Sequence, residues 1–176
     1  MNAESRPVMT PSIRHEKAGD EADVRQINEE AFGSSLEAGI VESLREKPGA
    51  ISLVATVAGR VTGHILFTPV TLEPPSRGLK LAALGPMAVR PDLQRQGIGT
   101  QLVHAGLREC SRAGYGAVVL VGHPDFYPRF GFSPAAARGL RCEFQVPDDV
   151  FMVLELKAGA LAGVSGLVRY PPEFGG

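Results

Sequence analysis

Cysteine is scarce in this chain, and tryptophan is absent. Cys110 and Cys142 are the two cysteines of 176 residues, and no Cys-x-x-Cys pair occurs. This count argues against a disulfide framework and suits a reducing compartment, so we expect a cytoplasmic protein. The four histidines are scattered along the chain without the spacing of metal ligands, so we expect no metal site.

An excess of charge and long apolar runs are missing as well. Lysine and arginine total 18 against 19 aspartates and glutamates, which gives a net charge of −1. That balance provides no basic surface for nucleic acid or for an anionic membrane, so we expect neither partner. No apolar run approaches the roughly 18 residues of a membrane-spanning helix. The polar N-terminus also lacks the apolar core of a secretory signal.

Glycine and proline are abundant, with 21 and 14 residues, yet hydrophobic residues make up 44% of the chain. A composition this apolar folds, so the glycines and prolines must punctuate a structured domain. The length suits one domain. We expect it to span residues 12–156, between a flexible N-terminal tail (1–11) and a C-terminal tail rich in glycine, alanine and proline (157–176).

Two helices are predicted near the N-terminus. Asp20 is in the position of an N-cap for the first, which Gly33 ends. Ser34 or Ser35 can cap the second, which ends near Pro48. Apolar residues recur at helical spacing in both segments.

Strand signals surround and follow these helices. Residues 13–17 form a candidate first strand, and an antiparallel meander is predicted over residues 51–57, 61–72 and 79–89. Ala58-Gly59-Arg60 is the expected hairpin between the first two strands of that meander.

The pattern then changes to a strand–helix–strand crossover. Residues 99–112 have the apolar spacing of an amphipathic helix, and residues 117–121 form a continuous apolar run typical of a buried strand. Such a crossover makes the strands at 79–89 and 117–121 parallel neighbours. A last strand is predicted at 151–156, so the fold class is α/β (α+β).

The loop between the third meander strand and the helix is the strongest local signal. It reads Gln94-Arg95-Gln96-Gly97-Ile98-Gly99-Thr100. A helix start leaves up to four N–H groups free, and glycines there let an anion approach the backbone. The loop lacks the third glycine of a dinucleotide fingerprint and the Gly-Lys-Ser/Thr of a triphosphate loop. A phosphate or pyrophosphate cradle is indicated, although two glycines also suit an ordinary tight turn.

Gly85-Pro86 interrupts the strand before this loop. Proline cannot donate to a sheet, so the pair indicates a bulge or an edge strand. If the strand is central, it must splay away from its parallel neighbour at the bulge. The backbone groups so exposed could bond an extended, amide-bearing ligand.

An aromatic segment, residues 126–132, follows the buried strand. Tyr127 lies where open α/β sheets bind ligands, and a phenol there can donate a proton to a leaving group. The alternative is a tyrosine packed within an aromatic cluster.

Together these features resemble the GNAT superfamily of acetyl-CoA-dependent N-acetyltransferases. The family's Gln/Arg-x-x-Gly-x-Gly/Ala loop is matched at Gln94, Gly97 and Gly99, and its Tyr-x-x-x-Gly-Phe segment at residues 127–132. The run at 122–127 resembles the YhbS-like branch of bacterial acetyltransferases. The resemblance implies the GNAT acyl-CoA N-acyltransferase fold: a mixed central sheet, helices on both faces, and splayed parallel strands at the cofactor site.

The same resemblance implies an activity and site residues. An acetyl (acyl) group would pass from acetyl-CoA to an amine by direct attack through a tetrahedral intermediate. Tyr127 would be the general acid for the departing thiolate, and it would also contact the cofactor. The other cofactor-binding residues would be Met87, Ala88, Val89, Gln94, Arg95, Gln96, Gly97, Ile98, Gly99 and Thr100. Many members carry an asparagine where this chain has Val119 or Leu120, so the cofactor contacts of that segment would differ.

No general base stands out. Six residues are candidates to accept the proton of the amine: Glu30, Glu37, Glu73, His64, His123 and Asp125. This keeps open a non-catalytic acyl-CoA-binding or sensing module on the same fold. The C-terminal tail is expected to pack on the domain or on a second subunit, in which case the protein would be a homodimer.

Overall fold

The computed structural model describes residues 10–175, and residues 1–9 of the expected N-terminal tail lie outside that range. The helices are α1 (Glu21–Phe32), α2 (Leu36–Leu44) and α3 (Ile98–Arg112). The strands are β1 (Ser12–His15), β2 (Ile51–Val57), β3 (Arg60–Glu73), β4 (Leu81–Val89), β5 (Ala117–Val121), β6 (Ser133–Pro134), β7 (Leu140–Cys142), β8 (Phe151–Glu155) and β9 (Gly166–Arg169). No helix in this range is both long and apolar enough to cross a bilayer.

The predicted order of elements is confirmed. The helix pair precedes the antiparallel meander β2–β3–β4, and the sheet runs in the order β1-β2-β3-β4-β5-β8-β6. The crossover prediction is also confirmed, because β4 and β5 pair in parallel from Leu81↔Ala117 to Ala83↔Val119. β6, β7 and β9 are too short to have a periodic signal, so the sequence did not predict them.

Helices cover both faces of the sheet. α3 packs its apolar stripe, which includes Leu102 and Val103, against one face together with Ile65 and Phe67 of β3. α1 and α2 cover the other face, where they bury Leu66. The side chains of β3 alternate between these layers, as a strand covered on both faces requires.

Asp20 is the N-cap residue of α1, as predicted, but its side chain makes no capping hydrogen bond. Its carboxylate instead accepts two hydrogen bonds from the Arg14 guanidinium, at 2.7 and 3.0 Å, and one from the Lys17 amide at 2.8 Å. The bond from Arg14 is the main reason why the pKa of Asp20 is lowered. The residue therefore ties β1 to the start of α1. Gly33 ends that helix in the left-handed conformation, as predicted.

The parallel strands splay as the sequence indicated. Pairing between β4 and β5 stops at Ala83, while β4 continues to Val89. Across β4, the register with β3 jumps from Phe67↔Leu84 to Ile65↔Met87, so Gly85 and Pro86 form a bulge. The outer edge of β4 beyond Ala83 consequently has no strand partner among the described residues.

The segment after residue 156 is part of the fold. β9 pairs antiparallel with the far end of β3 and parallel with β7, and Val168 is fully buried. Phe174 packs against the cluster under α1 and α2. The expected C-terminal tail thus packs on its own domain, the first of the two expected arrangements.

Candidate active site

A cavity of about 1280 Å³ opens where β4 and β5 separate. All the predicted cofactor-binding residues except Gln96 line it, and so does Tyr127. The cavity extends from the start of α3, past the free edge of β4, to the end of α1 and the C-terminal segment. Among residues 10–175, no group of three or more His, Cys, Asp or Glu side chains could hold a metal ion.

The start of α3 forms a concave surface of backbone amides. Arg95 and Gly97 both have left-handed backbone conformations, with φ of 62° and 89°. The first helical hydrogen bond joins the Gln101 amide to the Gly97 carbonyl at 3.0 Å. The amides of residues 97–100 have no backbone partner among the described residues, and they are free to bind an anion.

Gln94 holds this loop in place. Its side-chain amide donates a hydrogen bond to the Val89 carbonyl at 3.1 Å. The bond joins the end of β4 to the loop and fixes the distance between the free strand edge and the amide cradle. Gln94 also lines the cavity, so the contact with the cofactor that the resemblance implied stays a prediction.

The free edge of β4 presents the backbone of Met87 and Val89. Residues facing each other in an antiparallel pair alternate between bonded and non-bonded pairs. Arg90 donates a hydrogen bond to the Thr62 carbonyl at 2.9 Å, so Arg90 and Thr62 form a bonded pair. The next bonded pair lies two residues back along β4, at Ala88 and its partner His64. The register thus directs the Ala88 backbone to β3, and it leaves the N–H and C=O of Met87 and the N–H of Val89 for a ligand in the cavity, while the Val89 carbonyl is bonded to Gln94.

Tyr127 lines the cavity and also lies in an aromatic cluster, as the second interpretation expected, and its role as a proton donor stays a prediction. Its ring makes edge-to-face contacts with Phe126 and Phe132 at centroid distances of 5.0 and 5.9 Å. The residue is 8% exposed, and its hydroxyl forms no hydrogen bond with the rest of the described chain. Burial raises the pKa of Tyr127 to about 12, so the phenol stays protonated at neutral pH.

Gly122 makes room for that ring, a role the sequence analysis missed. A Cβ at this position would lie 2.5 Å from Cε2 of Tyr127. Gly122 belongs to the run at residues 122–127 that carried the family resemblance. That run was the sequence feature that could have indicated this role.

Three of the six candidate bases line the cavity: Glu37, His123 and Asp125. The other three do not. His64 is fully buried beside Ser52, whose hydroxyl lies 2.7 Å from Nε2, and burial lowers its pKa. Glu73 pairs with Arg169 at 2.7 Å, and Glu30 accepts a hydrogen bond from Gln26.

The cavity has a second end that sequence reasoning missed. We call it the distal end; its residues are Phe32, Glu37, Ile40, Phe144, Tyr170 and Phe174. Tyr170 packs between Phe144, whose ring is tilted to it at a centroid distance of 5.1 Å, and Phe174, which meets it edge-to-face at 5.3 Å. Phe144, Tyr170 and Phe174 reach the residues of α1 and α2 only through the tertiary packing of the C-terminal segment.

Comparison with known proteins identifies the family. The model of the acetyltransferase (GNAT) domain matches residues 12–135. The chain is 38% identical over 164 residues to the N-acetyltransferase YhbS of Escherichia coli K12, which covers 92% of this chain and 97% of YhbS.

The chain belongs to the GNAT acetyltransferase family. Two solved GNAT structures resemble it over nearly its full length. One is E. coli YhbS in complex with CoA, with a TM-score of 0.88, 36% identity and coverage of 97% of this chain and 95% of that one. The other is a GNAT acetyltransferase of Brucella melitensis in complex with acetyl-CoA, with a TM-score of 0.76, 32% identity and coverage of 94% and 99%. The GNAT fold and the YhbS-like resemblance are therefore confirmed.

Proposed function

We propose that this GNAT acyltransferase binds acetyl-CoA in the cavity between β4 and β5 and transfers the acetyl group to a primary amine. The observation that carries the proposal is the free edge of β4, which runs from an amide cradle at one end towards a protonated tyrosine across the cavity. The two solved relatives hold CoA and acetyl-CoA, respectively.

The pyrophosphate of the cofactor is assigned to the amides of residues 97–100. A helix start of this kind attracts an anion by about 0.3–1 kcal/mol, and by up to about 2 kcal/mol when partly buried. Arg95 lines the same part of the cavity and adds a fixed positive charge. Gln96 does not line the cavity, so we assign it no contact.

The pantetheine arm is assigned to the free edge of β4. Its amides would pair with Met87 and Val89 as an added strand would. The acetyl carbonyl then accepts a hydrogen bond from a backbone N–H of this edge, and the same N–H stabilises the oxyanion of the tetrahedral intermediate. Comparable donors contribute about 2.7–4 kcal/mol in enzymes where one was removed.

In the reaction, the neutral amine attacks the thioester carbon and the C–N bond forms. The intermediate collapses with cleavage of the C–S bond, and Tyr127 donates its proton to the departing sulfur. The acetylated nitrogen releases its extra proton to solvent, and solvent returns a proton to Tyr127, so that one proton passes overall from the amine to the thiol. An amine with a pKa of about 10.4 is roughly one part in 2,500 neutral at pH 7, so a proton must leave the ammonium first. Glu37, His123 and Asp125 are the cavity residues able to receive it.

Release of free thiol from acetyl-CoA across a panel of amines tests this function. Amine-dependent release, with an acetylated product of matching mass, is expected. Tight binding of acetyl-CoA with no release for any amine would instead favour a non-catalytic sensing module.

We also propose a cytoplasmic location, which fits two free cysteines. The homodimer stays a proposal that light scattering can measure.

A further inference from the structure

The two ends of the cavity differ in chemistry. Both lining arginines belong to the cofactor end: Arg95 lies in the cradle loop, and the Arg129 guanidinium stacks on Phe126 at 4.5 Å from the ring centroid. Phe126 in turn lies beside Gly99 of the cradle, where a Cβ would meet its ring at 3.9 Å. The positive charges therefore face the part of the cavity assigned to the cofactor.

The distal end is apolar and aromatic, with one charged group. Three aromatic rings from the C-terminal half line this end together with Phe32 and Ile40, while Glu37 is the one formally charged residue among the described residues of this end. No arginine or lysine in that part of the chain lines it. A ligand bound here meets aromatic rings and one carboxylate.

Glu37 is held in place but is not saturated. It lies in the first turn of α2, where the Ser34 hydroxyl donates to its Oε2 at 2.9 Å. Its Oε1 makes no hydrogen bond with the other described residues. One carboxylate oxygen is thus oriented by the protein, and the other is available to a cationic ligand.

The rim of the cavity carries large exposed hydrophobic residues. Phe32 is 44% exposed and Val121 is 43% exposed, and both line the cavity. Leu36, 65% exposed, is the neighbour of Glu37 in sequence. No other large hydrophobic side chain of the described residues is comparably exposed. An apolar group bound beside Phe32 would cover part of this exposed surface.

Resting on the proposed acetyl transfer, we infer that the acceptor is a small primary amine with an aromatic or branched apolar body and no carboxylate beside the amine. Its ammonium group binds Glu37, and its apolar body packs against Phe32, Phe144 and Phe174. A carboxylate next to the amine would lie against Glu37 with no cation to pair with it, and a polyamine would bring a second ammonium group to an end that offers one carboxylate. Both are disfavoured for these electrostatic reasons.

The first test compares acceptors at a fixed, saturating concentration of acetyl-CoA. We expect kcat/KM for 2-phenylethylamine to exceed that for L-phenylalanine by at least about 100-fold, because juxtaposed like charges are costly. Spermidine and a peptide with an internal lysine complete the panel. A higher kcat/KM for L-phenylalanine, for spermidine or for the peptide overturns the inference. Transfer to no amine at all overturns the proposed function as well.

The second test changes the carboxylate. Glu37→Gln should raise KM for 2-phenylethylamine by about 10- to 100-fold through loss of a charge-assisted bond, while the dissociation constant of acetyl-CoA stays within about twofold. Glu37→Asp should recover part of the loss. Glu46→Gln is the matched control, since Glu46 is an exposed residue shortly after α2 that does not line the cavity. An unchanged KM in the folded Glu37→Gln variant overturns the assignment.

A third variant tests the apolar contact without risk to the core. Phe32→Ala removes a partly exposed ring at the rim and should raise KM for 2-phenylethylamine by about 3- to 10-fold. The KM for methylamine should change less, because methylamine has no apolar body to pack there. Equal effects on both amines would contradict the placement of the body.

Discussion

Replacement of Tyr127 by phenylalanine removes one oxygen atom from the cavity and leaves the aromatic packing in place. The ring keeps its contacts with Phe126 and Phe132, and the lost hydroxyl makes no hydrogen bond with the other described residues. The free energy of unfolding should therefore change by less than about 1 kcal/mol. Any large loss of rate is then an effect on the chemistry.

The size of that loss follows from the protonation of the phenol. With a pKa of about 12, Tyr127 is protonated in all but about one molecule in 100,000 at pH 7. It therefore meets the departing sulfur as a hydrogen-bond donor and stabilises the negative charge that builds there as the C–S bond breaks. Loss of a positioned general acid lowers kcat by about 10²- to 10⁴-fold. Because the pKa is raised, the wild-type rate should show no fall caused by Tyr127 below about pH 11.

Steady-state release of CoA measures this effect, with calorimetry of acetyl-CoA binding as the control. We expect a dissociation constant like that of the wild type and a kcat lower by at least 100-fold. A variant with unchanged kcat would refute the role of Tyr127 as general acid. The role would be supported if the loss of rate in the Tyr127→Phe variant disappears with an acetyl thioester analogue whose thiol is more acidic than that of CoA.

Three further predictions concern the cradle and the fold. Gly97→Val should weaken acetyl-CoA binding in calorimetry and lower stability by about 1–2 kcal/mol, because a left-handed residue at φ 89° accepts a side chain poorly; tight binding would contradict the cradle. Gly106→Ala would place a Cβ 2.2 Å from the Phe67 ring and should destabilise by about 1–3 kcal/mol in urea unfolding. Gly39→Ala, which has open space, is its control and should stabilise by up to about 1 kcal/mol. Burial lowers the pKa of His64, so as the pH falls the unfolded chain takes up this proton before the folded chain does. The free energy of unfolding should therefore decrease below about pH 6.5, by up to about 1.4 kcal/mol per pH unit. A His64→Asn variant with the same slope between pH 5 and 6.5 would exclude this cause.

The elements that the sequence predicted well are those with local signals. α3 has a long amphipathic repeat, β5 is a continuous apolar run, and the crossover rule then fixed their arrangement. Gly85-Pro86 indicated the splay because proline cannot take part in a ladder. Each of these inferences needs only neighbouring residues and a general rule of chain geometry.

The distal end could not be predicted in this way. Phe144, Tyr170 and Phe174 reach the cavity because β9 pairs with β3 and β7, and strands of three or four residues leave no periodic pattern. Asp20 shows a related limit. Its position before a helix predicted a cap, but Arg14 provides a stronger, charged partner that is visible only once β1 is in place.

A crystal structure of the protein with acetyl-CoA tests the central claim most directly. The account predicts the pyrophosphate within about 2.7–3.2 Å of the amides of residues 97–100, which is normal hydrogen-bond length. It also predicts the pantetheine paired with Met87 and Val89, and the thioester sulfur beside the Tyr127 hydroxyl. A cofactor bound outside the cavity, or a thioester turned away from Tyr127, would contradict it.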